Sequence, residues 1–325
     1  MKNKESFVQY KILKIILTCL SVIPRAWMNR IAVPIGKFWF RIDRRHRTIA
    51  YDNMRGALGN EMGIQAIWDL VRANFIQLAT MALEIPSLLK FCPENANDYI
   101  TLTGREHLAA ARSRGKGILV LTAHLGNWEL MAIAAPIVAR MPSNVVARAL
   151  DYAPLDKLLT EIRTRTGNQV INKKKGGELI GQKLKEGRTV VILHDQNSNL
   201  AEGVYVPFFG ITACTNKALA MFALRYDATV LPAFNFRRPD GRYQIIIAPP
   251  VRLIKTGNIR KDILLNTEQF NAIIERYIRM APDNWLWVHR RWVLKKIFAI
   301  FKDKATELSL HPLPEEIWIS DKQQL

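Results

Sequence analysis

The chain has only three cysteines in 325 residues. Cys19, Cys92 and Cys214 are scattered, odd in number and form no Cys-x-x-Cys, so the spacing offers neither a disulfide framework nor a thiolate zinc site. That pattern fits a reducing compartment. Acidic residues are also scarce: 28 Asp and Glu stand against 47 Lys and Arg, a net charge of +19. Such an imbalance points to anionic partners, whether nucleic acid, an anionic membrane surface, a phosphorylated substrate or an acidic protein. No uninterrupted apolar run reaches the ~20 residues that cross a bilayer as a straight helix. The basic start and the apolar run allow a signal peptide, but no small-x-small cleavage site follows the "VIP" at 22–24. The absence of Gly-x-Ser-x-Gly removes the hydrolase nucleophile elbow. Repeats and low-complexity linkers are absent too.

The 49% apolar content is ordinary for a chain with a packed core. Length alone allows one large α/β domain or two smaller ones. The most biased segment is the N-terminus, where residues 1–47 hold apolar stretches, Ile15 to Ile23 and Ile31 to Phe40, interrupted by Pro24, Arg25, Arg30 and Lys37. Apolar residues embedded in basic flanks read as an interfacial anchor, its cations facing anionic headgroups. A buried helix pair is the competing reading.

Residues 48 to 92 carry Met54, Leu58, Ile64, Ile67, Trp68, Val71, Phe75 and Leu78 at roughly helical spacing. From about residue 100, short β-branched runs alternate with amphipathic stretches. "GILVLTA", "NVVARAL", "NQVI", "TVVILHD", "ATVLPAF" and "YQIIIAP" are the expected strands. This order predicts an α/β fold with a mostly parallel central sheet flanked by helices. The expected organisation is an anchor at 1–47, an α/β domain at 48–305 and a tail at 306–325. In such sheets ligands gather beyond the carboxyl ends of strands. His124, Arg148, and Asp195 with Gln196 each follow a strand on that edge.

"HLGNWE" places His124 and Glu129 five residues apart, roughly 140° around one continuous helix. The two side chains meet only if His124 precedes the helix and Glu129 lies in its first turn, with Gly126 making the turn and Asn127 capping. Glu129 would then fix the imidazole tautomer while the other ring nitrogen takes a proton. Spacing alone is equally consistent with a histidine ending a strand and a glutamate favoured by the helix dipole.

Taken with the later "DQ", "VPFFG" and "NWLWVHRRW", the motif resembles the bacterial lipid A biosynthesis acyltransferases. These lauroyl and myristoyl transferases belong to the wider lysophospholipid acyltransferase superfamily with its His-x4-Asp/Glu motif. The resemblance spans about residues 20 to 297. It implies acyl transfer from acyl carrier protein to a hydroxyl of a phosphorylated glycolipid, at the cytoplasmic face of the bacterial inner membrane. It makes His124 the general base and Glu129 its orienting partner. Arg163 becomes the group polarising the thioester, with Arg165 as its rival, and Asp195 orients Arg163 or a substrate group. No metal and no organic cofactor is implied, because the thioester is already activated. The wider superfamily's "EGT" phosphate motif is missing, which argues against a simple glycerol-phosphate acceptor. Lysophospholipid, aminolipid and glycosylated phosphatidylinositol acceptors stay open, as do a coenzyme A donor and the oligomeric state.

The substrate-binding candidates are Asn127, Arg165, Gln196, Phe208, Phe209, Arg237, Arg238, Trp287, His289, Arg290 and Arg291. Phe208 and Phe209 are read as acyl-chain lining or as core aromatics, before a helix expected near Thr215. Arg237 and Arg238 precede a hairpin turn at Asp240-Gly241 and are read as a phosphate clamp or as a solvated hairpin. Trp287, His289, Arg290 and Arg291, with Trp285 and Trp292, mix aromatics with cations and are read as lipid-facing or active-site-facing, with a plain packed terminal helix as the alternative. The basic run at 172–188 is read as a face for the acidic carrier protein or as a solvated helix face. A nucleic-acid-binding protein would also explain the charge, but no recognition motif appears and the cations cluster beside apolar segments.

Overall fold

The computed structural model describes residues 2–173, 176–199 and 201–292. The expected tail at 306–325 and the lysines at 174 and 175 lie outside the described residues. Four helices come first: α1 (Lys2–Leu20), α2 (Arg25–Ile42), α3 (Arg44–Leu58) and α4 (Ile64–Glu84). The helical region expected over 48–92 is therefore split where Gly59, Asn60 and Gly63 interrupt it. It ends in a 3-10 turn, Ile85–Lys90, with Pro86 in its first turn.

A short α5 (Ala96–Tyr99) leads into alternation: β1 (Ile100–Thr103), α6 (Arg105–Ser113), β2 (Ile118–Thr122), α7 (Trp128–Val138), β3 (Ser143–Ala147) and α8 (Ala153–Thr164). Then follow β4 (Gln169–Asn172), α9 (Gly177–Lys185) and β5 (Thr189–Leu193). β6 (Gly203–Phe208) and β7 (Ile211–Asn216) make a separate antiparallel hairpin. α10 (Ala218–Arg225), β8 (Thr229–Arg237), β9 (Tyr243–Ile247) and α11 (Ile259–Met280) complete the described elements. The helix expected near Thr215 starts instead at Ala218, because Ile211–Asn216 pairs as a strand.

The seven-stranded sheet has the order β1-β9-β8-β2-β5-β3-β4. β8, β2, β5, β3 and β4 run parallel, whereas β9 turns back antiparallel to β8 and carries β1 parallel to itself. The mostly parallel sheet flanked by helices is thus as expected, and the Asp240-Gly241 turn does join β8 to β9. Strand β2, "ILVLT", is buried throughout because both its faces are covered. Leu119 and Leu121 join the core under α3, α4, α10 and α11; Ile118 and Val120 join the one under α6, α7 and α8.

The N-terminal helices lie against this body, α1 along α8 and α2 along α4. On α2 the inward positions Met28, Ala32 and Gly36 recur every four residues and are buried. At Gly36 a Cβ would stand 2.5 Å from the Ile76 Cα, so only glycine allows this approach. Among the described residues no single helix is long and apolar enough to cross a membrane. α1 and α2 qualify only together, and they are bent by 111° at the break between them.

Candidate active site

β2 and β5 pair in parallel with Thr122 opposite Leu193, and the His194 amide extends the ladder to the Thr122 carbonyl (2.9 Å). That register brings His124 and Asp195, each two residues further on, side by side at the carboxyl edge. The His124 Nδ1 lies 2.8 Å from Asp195 Oδ1, and the His124 backbone amide donates to Asp195 Oδ2 at 3.0 Å. Trp285 Nε1 donates to the same Oδ2 at 2.7 Å. Burial pushes the Asp195 carboxyl up, but the charge and hydrogen bond of His124, the Trp285 indole and the His124 amide outweigh it and hold the carboxyl at about 2. An ionised Asp195 needs the proton on Nδ1, which leaves the Nε2 lone pair to act as a base. The His124 side chain is 18% exposed, so a substrate hydroxyl can reach it. Trp128 packs its ring edge-on to the imidazole, 5.0 Å between centroids.

The expected partnership of His124 with Glu129 is corrected by this geometry. Glu129 does lie in the first turn of α7, and Asn127 does cap that helix, its Oδ1 accepting the Leu130 amide at 2.9 Å. Yet both Glu129 oxygens are taken by Arg163: Nε donates to Oε2 at 2.7 Å and Nη2 to Oε1 at 2.6 Å. The two carboxylates have exchanged their expected partners. Asp195 holds the histidine and Glu129 holds the arginine. Burial lowers the Arg163 guanidinium, but the bonds and charge of Glu129 prevail and raise it.

Arg165 is no rival to Arg163, because its guanidinium donates to the carbonyls of Leu88 (3.2 Å) and Leu89. Gln196 does reach the site, its Nε2 3.5 Å from His124 Nε2. Phe208 and Phe209 form the tip of the β6–β7 hairpin and are buried, Phe208 packing on Phe209, Trp285 and Trp292. Arg237 turns inward, its Nε 3.9 Å from Glu84 Oε1, while Arg238 pairs with Asp240 on the hairpin surface. A shared phosphate clamp is therefore not formed by these two. Arg148 bonds Asp151 on the surface.

The segment 285–292, expected to face lipid or the active site or to pack as a plain helix, is largely buried. Leu125 pairs with Trp285, the Gly126 amide donates to the Asn284 carbonyl and the Leu286 amide to the His124 carbonyl, so this segment lines the site loop. Trp287 is fully buried, its Nε1 donating to the Pro282 carbonyl at 2.5 Å. Arg291, also fully buried, donates to the Cys214 carbonyl (2.8 Å) and Thr215 Oγ1 (2.6 Å), tying this segment to β7. Arg290 is exposed. His289 stands close enough to Asp195 and His124 to feel both charges; burial lowers its imidazole below the usual range. Sequence reasoning missed Trp128 and the bond of Trp285 to Asp195. The Trp in "HLGNWE" was readable beside the histidine, whereas Trp285 reaches Asp195 only through the fold. Among the described residues no group of three or more His, Cys, Asp or Glu comes together as a metal site.

The arrangement offers a base with an anionic orienting partner and, held by the Glu129 carboxylate in the first turn of α7, a guanidinium from α8. Such a set suits proton abstraction and stabilisation of developing negative charge. The chain is 27% identical over 273 residues to the lipid A biosynthesis lauroyltransferase of Escherichia coli, covering 83% of this chain and 86% of that one. It is 25% identical to the lipid A biosynthesis palmitoleoyltransferase of the same organism, covering 70% and 72%. It is 22% identical to the phosphatidylinositol mannoside acyltransferase of Mycolicibacterium smegmatis, covering 69% and 73%. The sequence profile of the bacterial lipid A biosynthesis acyltransferases matches residues 4–294, and the chain belongs to that family of acyltransferases.

Proposed function

We propose that this acyltransferase moves a fatty acyl chain from acyl carrier protein to a hydroxyl of a phosphorylated, glucosamine-based lipid A precursor at the cytoplasmic face of the inner membrane. The observation that carries the chemistry is the His124 Nδ1 to Asp195 Oδ1 hydrogen bond of 2.8 Å beside a partly open imidazole. His124 Nε2 takes the proton of the acceptor hydroxyl as that oxygen attacks the thioester carbonyl. Asp195 fixes the tautomer and stabilises the imidazolium. The tetrahedral oxyanion is stabilised by the Arg163 guanidinium, aimed by Glu129, a contribution of about 3 kcal/mol in a water-excluded site. Collapse breaks the carbon–sulfur bond, and the imidazolium returns the proton to the leaving thiolate. The products are an ester and a free thiol, with no redox change.

Membrane association is supported by the outer faces of the N-terminal helices. On α1, Val8, Ile12, Ile15 and Ile16 are exposed on one side, and on α2 the stripe is Trp27, Ile31, Ile35, Phe38 and Ile42. Exposed Lys11, Arg30, Lys37 and Arg41 accompany them. An apolar face with cations fits the interface of an anionic bilayer, the helices lying in its plane.

The test is a thin-layer assay on detergent-solubilised enzyme. A radiolabelled, tetra-acylated lipid A precursor is offered lauroyl- or myristoyl-acyl carrier protein, with His124→Ala as control. A less polar product that requires His124 supports the reading. Product formation only with a mannosylated phosphatidylinositol or another lipid acceptor would replace the acceptor while keeping the base.

A further inference from the structure

Between α1 and α2 the chain makes a sharp elbow whose two sides behave oppositely. Val22 is 67% exposed and Trp27 60% exposed. Between them Arg25, the first residue of α2, turns inward. Its guanidinium donates to the Asp98 carbonyl (3.2 Å) and the Gly241 carbonyl (2.9 Å) and lies 4.5 Å from the centre of the Tyr99 ring. Its Nη2 stops 3.5 Å from Oε1 of Glu84.

Glu84 ends α4 and is 1% exposed. Its Oε2 accepts from the Tyr243 hydroxyl at 2.6 Å and from Asn127 Nδ2 at 3.2 Å. Its Oε1 makes no hydrogen bond, with Arg25 and Arg237 only at ion-pair distances. A buried carboxylate with one oxygen left incomplete is a costly arrangement, and a small inward movement of Arg25 would complete it. Asn127, at the other end of this bridge, is the cap of α7 and fixes the turn from which Glu129 projects. The second arm of the elbow ends on α8, the helix that carries Arg163. Tyr10 and Lys14 of α1 both donate to Glu161 of α8, two residues before Arg163. The helices that present apolar residues outward thus contact residues two positions from Arg163 on α8 and, through Glu84, two positions from Glu129 on α7.

We propose that Glu84 is a positioning residue that joins the lipid-facing elbow to the amino end of α7, so that seating of α1 and α2 on an anionic bilayer closes Arg25 onto Glu84 and sets the Glu129–Arg163 pair. The inference rests on the acyl-transfer and membrane reading above. Its test uses the full chain, lauroyl-acyl carrier protein as donor and the lipid A precursor as acceptor. The acceptor is carried either in neutral detergent micelles or in phosphatidylethanolamine vesicles with added phosphatidylglycerol. The intact protein gains in kcat on the anionic vesicles by about fivefold or more, the lower end of ordinary coupling between sites, at an unchanged KM for the donor. Glu84→Gln and Arg25→Gln each lose that gain while still floating with the vesicles, and Arg25→Lys recovers part of it. A gain that survives in Arg25→Gln, or a kcat that falls equally on micelles and vesicles, overturns the proposal and leaves Glu84 a structural carboxylate. Equal turnover of the intact protein on both carriers also overturns it. No turnover on any acceptor, by contrast, refutes the acyl-transfer reading itself.

Discussion

Asp195 holds His124 at two points, its Oδ1 2.8 Å from the ring Nδ1 and its Oδ2 accepting the backbone amide at 3.0 Å. One carboxylate therefore fixes both the position of the histidine and the proton on its ring. Because Trp285 adds a third donor, every near lone pair faces an N–H group. The histidine's other nitrogen, Nε2, meets only the Gln196 amide at a long 3.5 Å among the described residues, and the side chain is partly open to solvent.

Replacing Asp195 by Asn keeps the volume but puts an NH2 group against donors. The expected result is a fall in kcat of a hundredfold or more, with KM for the acyl donor nearly unchanged, since the loss is in proton transfer. Steady-state kinetics on a protein of unaltered circular dichroism check this. Near-normal kcat would remove Asp195 from the mechanism.

Asp195 and its buried neighbour in sequence, His194, make the fold acid-sensitive, in two windows. The Asp195 carboxyl is held down from 3.8 to about 2, so its stabilisation is complete above 3.8 and is lost as pH falls toward 2. His194 is fully buried; burial first, then the Arg291 charge, lowers its imidazole from 6.5 to about 3 against the pull of Asp195. The unfolded chain binds that proton below 6.5 and the native protein does not, so stability falls with pH from 6.5 toward 3, by up to about 1.4 kcal/mol per pH unit. Melting temperatures measured from pH 7 to 4 should decline in the intact protein. In His194→Gln the slope should be shallower, and an identical slope would show that His194 is not the group responsible.

How much of this was legible follows from where the partners lie in the chain. The alternation of "GILVLTA", "TVVILHD" and their intervening helices gave the parallel sheet, because central strands buried on both faces must be continuously apolar. The same pattern put His124 and Asp195 on one edge. What it concealed was strand order. Only the adjacency of β2 and β5, with Thr122 opposite Leu193, makes Asp195 the neighbour of His124. Glu129, five residues away, was the nearer carboxylate in sequence but is directed to α8 instead. The partner of Trp285, and Glu84 altogether, were invisible for the same reason, since each reaches the site from a distant segment.

Gly126 shows how tightly that edge is built. Its φ is +63°, and a Cβ there would lie 2.3 Å from the Asn235 carbonyl oxygen, whose residue also bonds the Asn127 carbonyl at 2.6 Å. Gly126→Ala therefore meets both a left-handed backbone penalty and a backbone clash. A loss of roughly 2 kcal/mol or more is expected. Denaturant unfolding measures it, and an unchanged midpoint would mean that the loop relaxes freely.

The outer stripe of the N-terminal helices makes a separate prediction. Trp27 and Phe38 are 60% and 63% exposed and lie on the side of α2 opposite Met28, Ala32 and Gly36. Trp27→Glu with Phe38→Glu should abolish flotation with anionic vesicles while leaving the melting temperature within about 2 °C, because neither side chain supports the core. Persistent flotation would move the lipid contact elsewhere.

The assignment of Glu129 to Arg163 is best decided by double-mutant cycles. Arg163→Gln removes the cation, and a loss of about a hundredfold or more in kcat is expected if it stabilises the oxyanion. Glu129→Gln leaves the guanidinium half-buried without its bidentate partner, so it too should be slow, by about tenfold or more. If Glu129 acts only by aiming Arg163, the double variant is no slower than Arg163→Gln alone. Combined with Asp195→Asn, which damages the base independently, Glu129→Gln should instead multiply the loss. The opposite pattern, with Glu129 additive to Arg163 but silent once Asp195 is removed, would return Glu129 to the histidine, where its spacing in the sequence first placed it.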